Sequence, residues 1–276
     1  MLRFLFALLV VSLAGLVAHA EDKRVYELRI YSINPGRQEH VNKIIAGTGK
    51  KYMSKYHIDL LGAWVPADAS DERVITLVAH ADKASADKNW AALQADEGWK
   101  AALAAVDTGE KAVANITRLF LTATDYSALV APANVGNRIF ELRTYIATPN
   151  NLGHLNSRFR NHTVKLFEKH GMTNIAYFNI LPGEKTTCSE VMKACAAKGK
   201  DSVDVKPETP AADLTLVYFI THASPDAMKK NFGSFGGDAA WRTALTASEK
   251  KAGGPLTVKN GVKSLVLKPT DYSPMK

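Results

Sequence analysis

The segment Arg24-Val-Tyr-Glu-Leu-Arg-Ile-Tyr31 recurs in the second half of the chain as Arg138-Ile-Phe-Glu-Leu-Arg-Thr-Tyr145. In the first copy apolar and polar residues alternate, as in a β-strand whose two faces meet different surroundings. The two segments start 138 − 24 = 114 positions apart. A repeat of this kind indicates a duplicated structural unit, so each half of the chain is expected to fold in the same way.

The match continues in the same order through both halves. Trp99 matches Trp241 at an offset of 241 − 99 = 142, and residues 124–127 match residues 270–273 at an offset of 270 − 124 = 146. The offset therefore grows by 142 − 114 = 28 residues within the second copy. This growth predicts an insertion at about residues 182–213, which is read as a long surface loop with one helical turn near its cysteines.

Each copy predicts the element order βαββαβ. Such a ferredoxin-like module is a four-stranded antiparallel sheet with two helices on one face. Its other face needs cover, which two fused modules provide by packing sheet on sheet or by closing into a barrel. The first-copy strands are predicted at residues 25–32, 59–65, 74–80 and 115–124, and helix starts at Asn34-Pro35 and Asp82 and, in the second copy, at Thr148-Pro149 and Ser224.

The first twenty residues have the features of a signal peptide. Arg3 precedes a nearly continuous apolar run, and Ala18-His19-Ala20 predicts cleavage before Glu21. The expected location is periplasmic or secreted; the alternative is an uncleaved anchor. The predicted organisation is a signal peptide at residues 1–20, a first module at 21–127, a linker at 128–137 and a second module at 138–276.

Composition limits the function classes. The chain has 276 residues, 46% hydrophobic and 22% charged, and a net charge of +8 that is spread along the sequence. The sequence has no run of basic residues that would indicate a nucleic-acid partner. No segment after the first twenty residues is apolar enough for a membrane span. Cys188 and Cys195 have neither haem-attachment nor zinc spacing, so no cofactor or metal is predicted. They are a candidate disulfide, which needs an irregular segment because a straight helix would hold them about 10 Å apart.

The repeated strand and the turn after it resemble the NIPSNAP family. The resemblance rests on residues 26–31 with Asn34-Pro-Gly36, and on residues 140–145 with Thr148-Pro149. The second copy departs from the family pattern, with Phe140 in place of Tyr and Asn150 in place of Gly. The resemblance implies an α+β fold in which two tandem ferredoxin-like modules form an intramolecular dimeric α/β barrel. The family has no agreed catalytic residues, so it implies little chemistry.

The first strand of each copy carries the main candidate site residues. Glu27, Arg29 and Tyr31 share one strand face. We expect the apolar face to meet the helices and this polar face to point toward the other module. One interpretation is a structural ion pair that sets the register between modules. The other is a pocket for a small anionic or carbonyl-bearing ligand. In that pocket Glu27 and Glu141 are candidate acid–base groups, and Arg29, Tyr31, Arg143 and Tyr145 are candidate ligand-binding groups.

Other candidates lie at strand ends and on helices. His80 and His222 end the third strand of their copies, where they can cap a turn or serve as proton-transfer groups. Trp99 and Trp241 lie on the second helical segment, where they can pack in the core or form an aromatic wall of a ligand site. His162 falls on the apolar stripe of the preceding helix and is expected in the core.

The leading interpretation is an exported protein that binds a small molecule or a partner protein through the inter-sheet cavity or its surface. The superfamily that the chain resembles includes cofactor-free monooxygenases, isomerases and haem-handling proteins, so an enzyme is the first alternative. The second alternative is a scaffold protein that uses the insertion around Cys188 and Cys195 as its contact loop. A tandem barrel can be a monomer or a homodimer.

Overall fold

The computed structural model describes residues 22–106 and 111–276. The predicted signal peptide and its cleavage point lie outside these residues. The first-module strands match the predicted ranges to within two residues. The strands are β1 (Val25–Ile33), β2 (Asp59–Pro66), β3 (Val74–His80), β4 (Val113–Ala123), β5 (Ile139–Ala147), β6 (Thr173–Ile180), β7 (Thr215–His222) and β8 (Thr257–Pro269).

Helices follow β1 and β3 in the first module and β5 and β7 in the second. The helix after β1 and the helix after β5 each contain one π-helical turn, at Ile45–Gly49 and Phe159–Thr163. The α-helices are α1 (Gln38–Ile44), α2 (Lys50–Lys55), α3 (Lys83–Ala95), α4 (Glu97–Val106), α5 (Leu152–Arg158), α6 (Val164–Lys169), α7 (Cys188–Cys195), α8 (Pro225–Gly237) and α9 (Ala239–Ala252).

The eight strands close into one antiparallel barrel in the order β1-β3-β2-β8-β5-β7-β6-β4. Each module contributes four neighbouring strands, and the modules are joined where β2 pairs with β8 and β4 pairs with β6. Of the two ways to cover the open sheet faces, the chain therefore uses barrel closure. The predicted fold class, two ferredoxin-like modules in an intramolecular α/β barrel, is confirmed.

Apolar side chains from both modules fill the inside of the barrel. Leu28 of β1 and Leu142 of β5 belong to one fully buried cluster. Trp64 lies in the same cluster, with its ring 5.5 Å from that of Phe140 and 5.1 Å from that of Phe219. Gly62 leaves room for this indole, because a Cβ there would come within 2.0 Å of it. The space between the modules is thus a packed hydrophobic core.

Helices cover the outside of the barrel. The buried apolar stripe of the first helical segment in module two has a spacing of four residues, at Leu155, Phe159, Thr163 and Phe167, and Arg158 is buried beside it. The π-helical turn makes this spacing possible, because its wider winding keeps every fourth residue on one face. The prediction that His162 lies in the core is wrong, since the same winding turns this side chain to solvent.

Two predicted helix starts are also wrong by three residues. Asn34 opens a turn in which its carbonyl accepts the Arg37 amide at 3.1 Å, and Gly36 has a positive φ of 74°. The helix then begins at Gln38, and in module two at Leu152. The starts at Asp82 and Ser224 are confirmed, because each side chain accepts an amide of the first helical turn.

The insertion closes one end of the barrel. Its helix α7 begins with a capping box between Thr187 and Glu190, and Cys188, Met192 and Cys195 are buried within the barrel's apolar cluster. The two thiols are free and stand at opposite ends of this straight helix. That is the geometry in which a disulfide cannot form, so the candidate disulfide is corrected to two buried thiols.

Candidate functional site

The charged face of β1 points toward the helices of its own module. Glu27 accepts a hydrogen bond from the Trp90 indole of α3 at 2.7 Å, whereas Leu28 lies inside the barrel. The expected orientation was therefore inverted. Strand alternation defines two faces without saying which is inner, and barrel closure makes the interior the surface that only apolar side chains can fill without cost. The polar groups accordingly form one cluster per module, under the helices.

In module one, four donors surround the Glu27 carboxylate. Oε1 accepts from Arg29 Nη1 at 2.7 Å and Arg118 Nε at 2.6 Å. Oε2 accepts from the Trp90 indole and lies 3.0 Å from Nε2 of His80. An ionised carboxylate only accepts, so this ring nitrogen carries the proton. Every oxygen of Glu27 is thus engaged within the protein.

In the first cluster, the groups around Glu27 stabilise the ionised form of its buried carboxylate. Burial raises the pKa of Glu27, but the hydrogen bond from His80 and the charges of Arg29 and Arg118 outweigh it and lower the pKa to about 2. Arg29 stacks on the Trp90 ring at 3.8 Å, and Arg118 also donates to Asp87 at 3.2 Å. Both guanidinium groups of this cluster therefore have a carboxylate partner.

In module two, Glu141 has the same strand position with a smaller set of donors. Oε1 accepts from Arg143 Nη1 at 2.5 Å and from Ser264 Oγ at 2.5 Å, and Oε2 lies 2.9 Å from Nε2 of His222. Burial raises the pKa of Glu141, but His222 and Arg143 outweigh it and the pKa is lowered. Arg143 also donates to the hydroxyl of Tyr145 at 3.2 Å.

The repeat offsets identify what has changed between the two clusters. The position of Trp90 is taken by Phe232, which has no N–H to donate, and the position of Arg118 is taken by Ser264. The position of Thr76 is taken by Tyr218, whose hydroxyl accepts from Arg143 Nε at 2.8 Å. The second cluster has therefore lost one cation and gained a phenol, while its strand residues and histidine are kept.

Arg158 adds a cation to the second module that the first does not have. The equivalent position, 158 − 114 = 44, is Ile44. Arg158 is only 6% exposed, and its Nε and Nη1 have no hydrogen-bond partner. It lies over the Trp241 ring at 5.3 Å, and burial lowers the pKa of its guanidinium. A buried guanidinium without an acceptor is costly, so this group needs an explanation.

The remaining candidates are divided between packing and this second cluster. Trp99 packs on Tyr52 at a ring distance of 5.6 Å, against the helix-side apolar cluster of module one. Trp241 packs on Phe235 at 4.4 Å and is the ring beneath Arg158. Across the described residues, no group of His, Cys, Asp and Glu has the arrangement of a metal site.

A separate open cleft of about 1130 Å³ lies beside the insertion. Its walls come from the end of β1, the start of β4 and the segment around α7, and they include Arg118, Glu190 and Lys193. Charged side chains of both signs line it, so it favours no single class of ligand. In the described ranges, the exposed large apolar side chains are Ile116, Leu129 and Val262, none of which belongs to the insertion.

Sequence reasoning missed Arg118, Ser264 and Arg158. The first two lie on the last strand of each module and become neighbours of the glutamates through strand pairing, where Arg29 faces Arg118 and Arg143 faces Ser264. A signal for Arg158 was present in the repeat, because it aligns with apolar Ile44 on the buried stripe of the same helix. A charged residue at a position where the other copy is apolar indicates a local change of role.

The barrel and its two outer helix layers define a dimeric α/β-barrel protein. The fold is similar to that of a Lactobacillus acidophilus protein assigned provisionally as a monooxygenase. The two chains are 10% identical over 90% of this chain and 94% of that one, with a TM-score of 0.51. At this identity the similarity shows the fold alone. No helix among the residues that the structure describes is long and apolar enough to cross a bilayer.

The NIPSNAP family model matches residues 26–128, which span the first module. A NIPSNAP family protein from Agrobacterium tumefaciens is 22% identical and covers 38% of this chain with 98% of its own length, at a TM-score of 0.34. A NIPSNAP-like domain protein from Burkholderia xenovorans is 16% identical over 40% of this chain and 93% of its own, at a TM-score of 0.35. Curated protein sequences give no match.

Proposed function

We propose that this protein is exported and binds a small molecule between the sheet and the helices of its second module. One observation carries the proposal: Arg158 is buried there with two guanidinium nitrogens that have no acceptor. Native proteins satisfy nearly all buried polar groups, and the exceptions cluster where a ligand completes the bonding. The export part of the proposal is supported by the sequence features of residues 1–20.

Geometry favours this location over the other candidate sites. The barrel interior is filled by apolar side chains, and in module one both oxygens of Glu27 accept hydrogen bonds and both arginines have carboxylate partners. Helix α7 buries its apolar face against the barrel, which argues against a contact loop there. In module two, Tyr145 and Trp241 beside Arg158 are only half-buried, so the site is not sealed by protein.

Binding is favoured over acid–base catalysis by the state of the glutamates. The pKa values of Glu27 and Glu141 are both lowered, and their oxygens accept hydrogen bonds from neighbouring side chains. A general base needs a pKa near the working pH and contact with the substrate. We therefore assign both carboxylates to holding the strand arginines in place, and the second module to ligand recognition.

The test compares native mass spectra of the full mature chain from its own exported fraction. We expect a stoichiometric extra mass in the wild type and its loss in Arg158→Ile, which restores the residue type of the first module. The variant should also unfold at a higher temperature without ligand, because an apolar side chain replaces an uncompensated buried charge. A purely structural arginine would give the opposite shift.

A matched control is Arg160→Met. This neighbouring arginine is exposed and pairs with Asp125 at 2.5 Å, so its loss should leave the bound mass unchanged. An extra mass that persists in Arg158→Ile would place the ligand elsewhere. N-terminal sequencing of the same sample tests export separately, with Glu21 expected as the first residue and Met1 as the contrary result.

A further inference from the structure

The helix–sheet layer of the second module contains a buried cation that no carboxylate in the described residues contacts. Arg143 and Arg158 both lie in it, and both are influenced by the hydroxyls of Tyr145 and Tyr218. Glu141 is engaged with Arg143 at 2.5 Å. Glu249 on α9 attracts Arg158 through space. Among the residues that the structure describes, Arg158 has no ion pair within 4.0 Å.

The comparison with the first module shows what Arg158 lacks. In the first module, Arg29 and Arg118 are in contact with Glu27, and Arg118 also contacts Asp87, which it shares with Lys83. In the second, the exchange of Arg118 for Ser264 removes one cation, but Arg158 restores it without a second carboxylate in contact. A single negative charge on a ligand would give the Arg158 guanidinium a partner. Without one, burial of this guanidinium costs free energy.

The surroundings of Arg158 are aromatic as well as cationic. Its guanidinium lies over Trp241 at 5.3 Å, and Trp241 packs on Phe235 at 4.4 Å. Phe159, the next residue in the chain, contacts Tyr145 at a ring distance of 5.6 Å. Such rings suit an apolar or aromatic ligand body, while a guanidinium suits a planar carboxylate that it can bind through two parallel hydrogen bonds.

We propose that the ligand of this site is a small monocarboxylate with an apolar body, anchored on Arg158. The carboxylate accepts from the guanidinium, and the body rests among the aromatic rings of α9 and β5. This inference rests on the proposed function, of which it specifies the ligand class.

The experiment is isothermal titration calorimetry on the full mature chain with four probes: benzoate, its neutral analogue benzamide, acetate and inorganic phosphate. We expect benzoate to bind, acetate to bind more weakly because it lacks the apolar body, and benzamide and phosphate to give no saturable heat. Arg158→Met should weaken benzoate binding by about 100-fold, as loss of one partner of a buried charge pair does. Arg158→Lys should recover part of this loss, and Arg160→Met should bind as the wild type does.

The outcomes separate the ligand class from the proposed function. Benzamide binding as tightly as benzoate would overturn the carboxylate assignment and leave a small-molecule site in module two. If phosphate bound more tightly than benzoate, the assignment of a singly charged ligand would be wrong. Benzoate binding that is unchanged in Arg158→Met would overturn the assigned anchor. The absence of heat with all four probes at millimolar concentration would overturn the ligand class, while a bound mass lost in Arg158→Ile would still support a binding site.

Discussion

Glu27 and Glu141 occupy the same position in two copies of one module, yet their surroundings differ. Glu27 is bonded by two arginines, an indole and a histidine, whereas Glu141 is bonded by one arginine, a serine and a histidine. In the first cluster, both arginines have carboxylate partners. The second cluster has no indole donor, has a serine in place of the second arginine, and lies beside Arg158, whose Nε and Nη1 have no acceptor. On the proposed function, duplication leaves one copy as scaffold and gives the other a ligand site.

The features shared by both copies are those that hold sheet and helices together. Each strand arginine donates to the glutamate two residues before it, and each histidine meets the other oxygen of that glutamate. A buried ion pair contributes little net stability, but removal of one partner leaves the other charge uncompensated. Substitutions at these positions should therefore report how much each cluster depends on its carboxylate.

The largest effect is expected from Glu27→Gln. It leaves the charges of Arg29 and Arg118 without their shared partner and should lower the free energy of unfolding by about 4 kcal/mol. Glu141→Gln exposes only Arg143 to the same loss and should cost less. Urea denaturation at pH 7 measures both. Glu39→Gln, at an exposed pair with Lys43, is the control and should leave the midpoint unchanged. If Glu141→Gln lowered the free energy of unfolding more than Glu27→Gln, the first cluster would not be the one that depends more on its carboxylate.

The pH dependence of stability should depend strongly on Glu27. Its pKa is about 2 in the folded protein against 4.5 ordinarily, so the folded state favours the ionised form. The resulting stability is complete above the unfolded pKa and is lost as the pH falls toward 2. It amounts to about 3 kcal/mol. The difference in unfolding free energy between wild type and Glu27→Gln should therefore shrink between about pH 5 and 2.

This experiment requires denaturation curves of both proteins at several pH values. The sign is decisive, because a carboxylate whose pKa was raised by burial alone would produce the reverse trend, with stability increasing on acidification. A difference that stays constant from pH 7 to pH 3 would show that the ionised form of Glu27 is not what the first cluster stabilises.

A smaller effect is expected from Trp90→Phe, which gives the first module the ring that the second has at Phe232. It removes the indole donor from Glu27 Oε2 and reduces the ring on which Arg29 stacks, and should cost about 2 kcal/mol. The control is Trp99→Phe, whose indole packs on Tyr52. It should cost less, about 1 kcal/mol. Equal losses for the two variants in urea denaturation would mean that the bond to Glu27 contributes nothing beyond packing.

The elements that sequence reasoning located well depend on local chemistry. The range of β3 follows from a short, nearly continuous apolar run. The caps at Asp82 and Ser224 follow from side chains that bond amides a few residues away. The errors at Asn34 and His162 have a local cause too, since the turn before the helix and the π-helical turn within it shift the helical phase. Neither feature has a simple periodic signal.

The candidate site was predicted in part. The sequence singled out Glu27, Arg29, His80 and their second-copy equivalents, because charged residues alternate with apolar ones on a repeated strand. It did not identify Arg118 or Ser264, which reach the glutamates only through the pairing of the first and last strands. Arg158 could have been noticed where the apolar stripe of one copy is charged in the other.

By itself, then, the sequence determined the duplication, the order of elements and the identity of the strand residues that share a face, because these depend on neighbours along the chain. The tertiary structure decided which face is inside. Barrel closure surrounds one face of every strand with other strands, where no partner for a charge is available, and places the opposite face under helices that can supply an indole, a guanidinium or a ligand site. Which strand face lies inside is therefore a property of the closed sheet, and no single segment of the sequence specifies it.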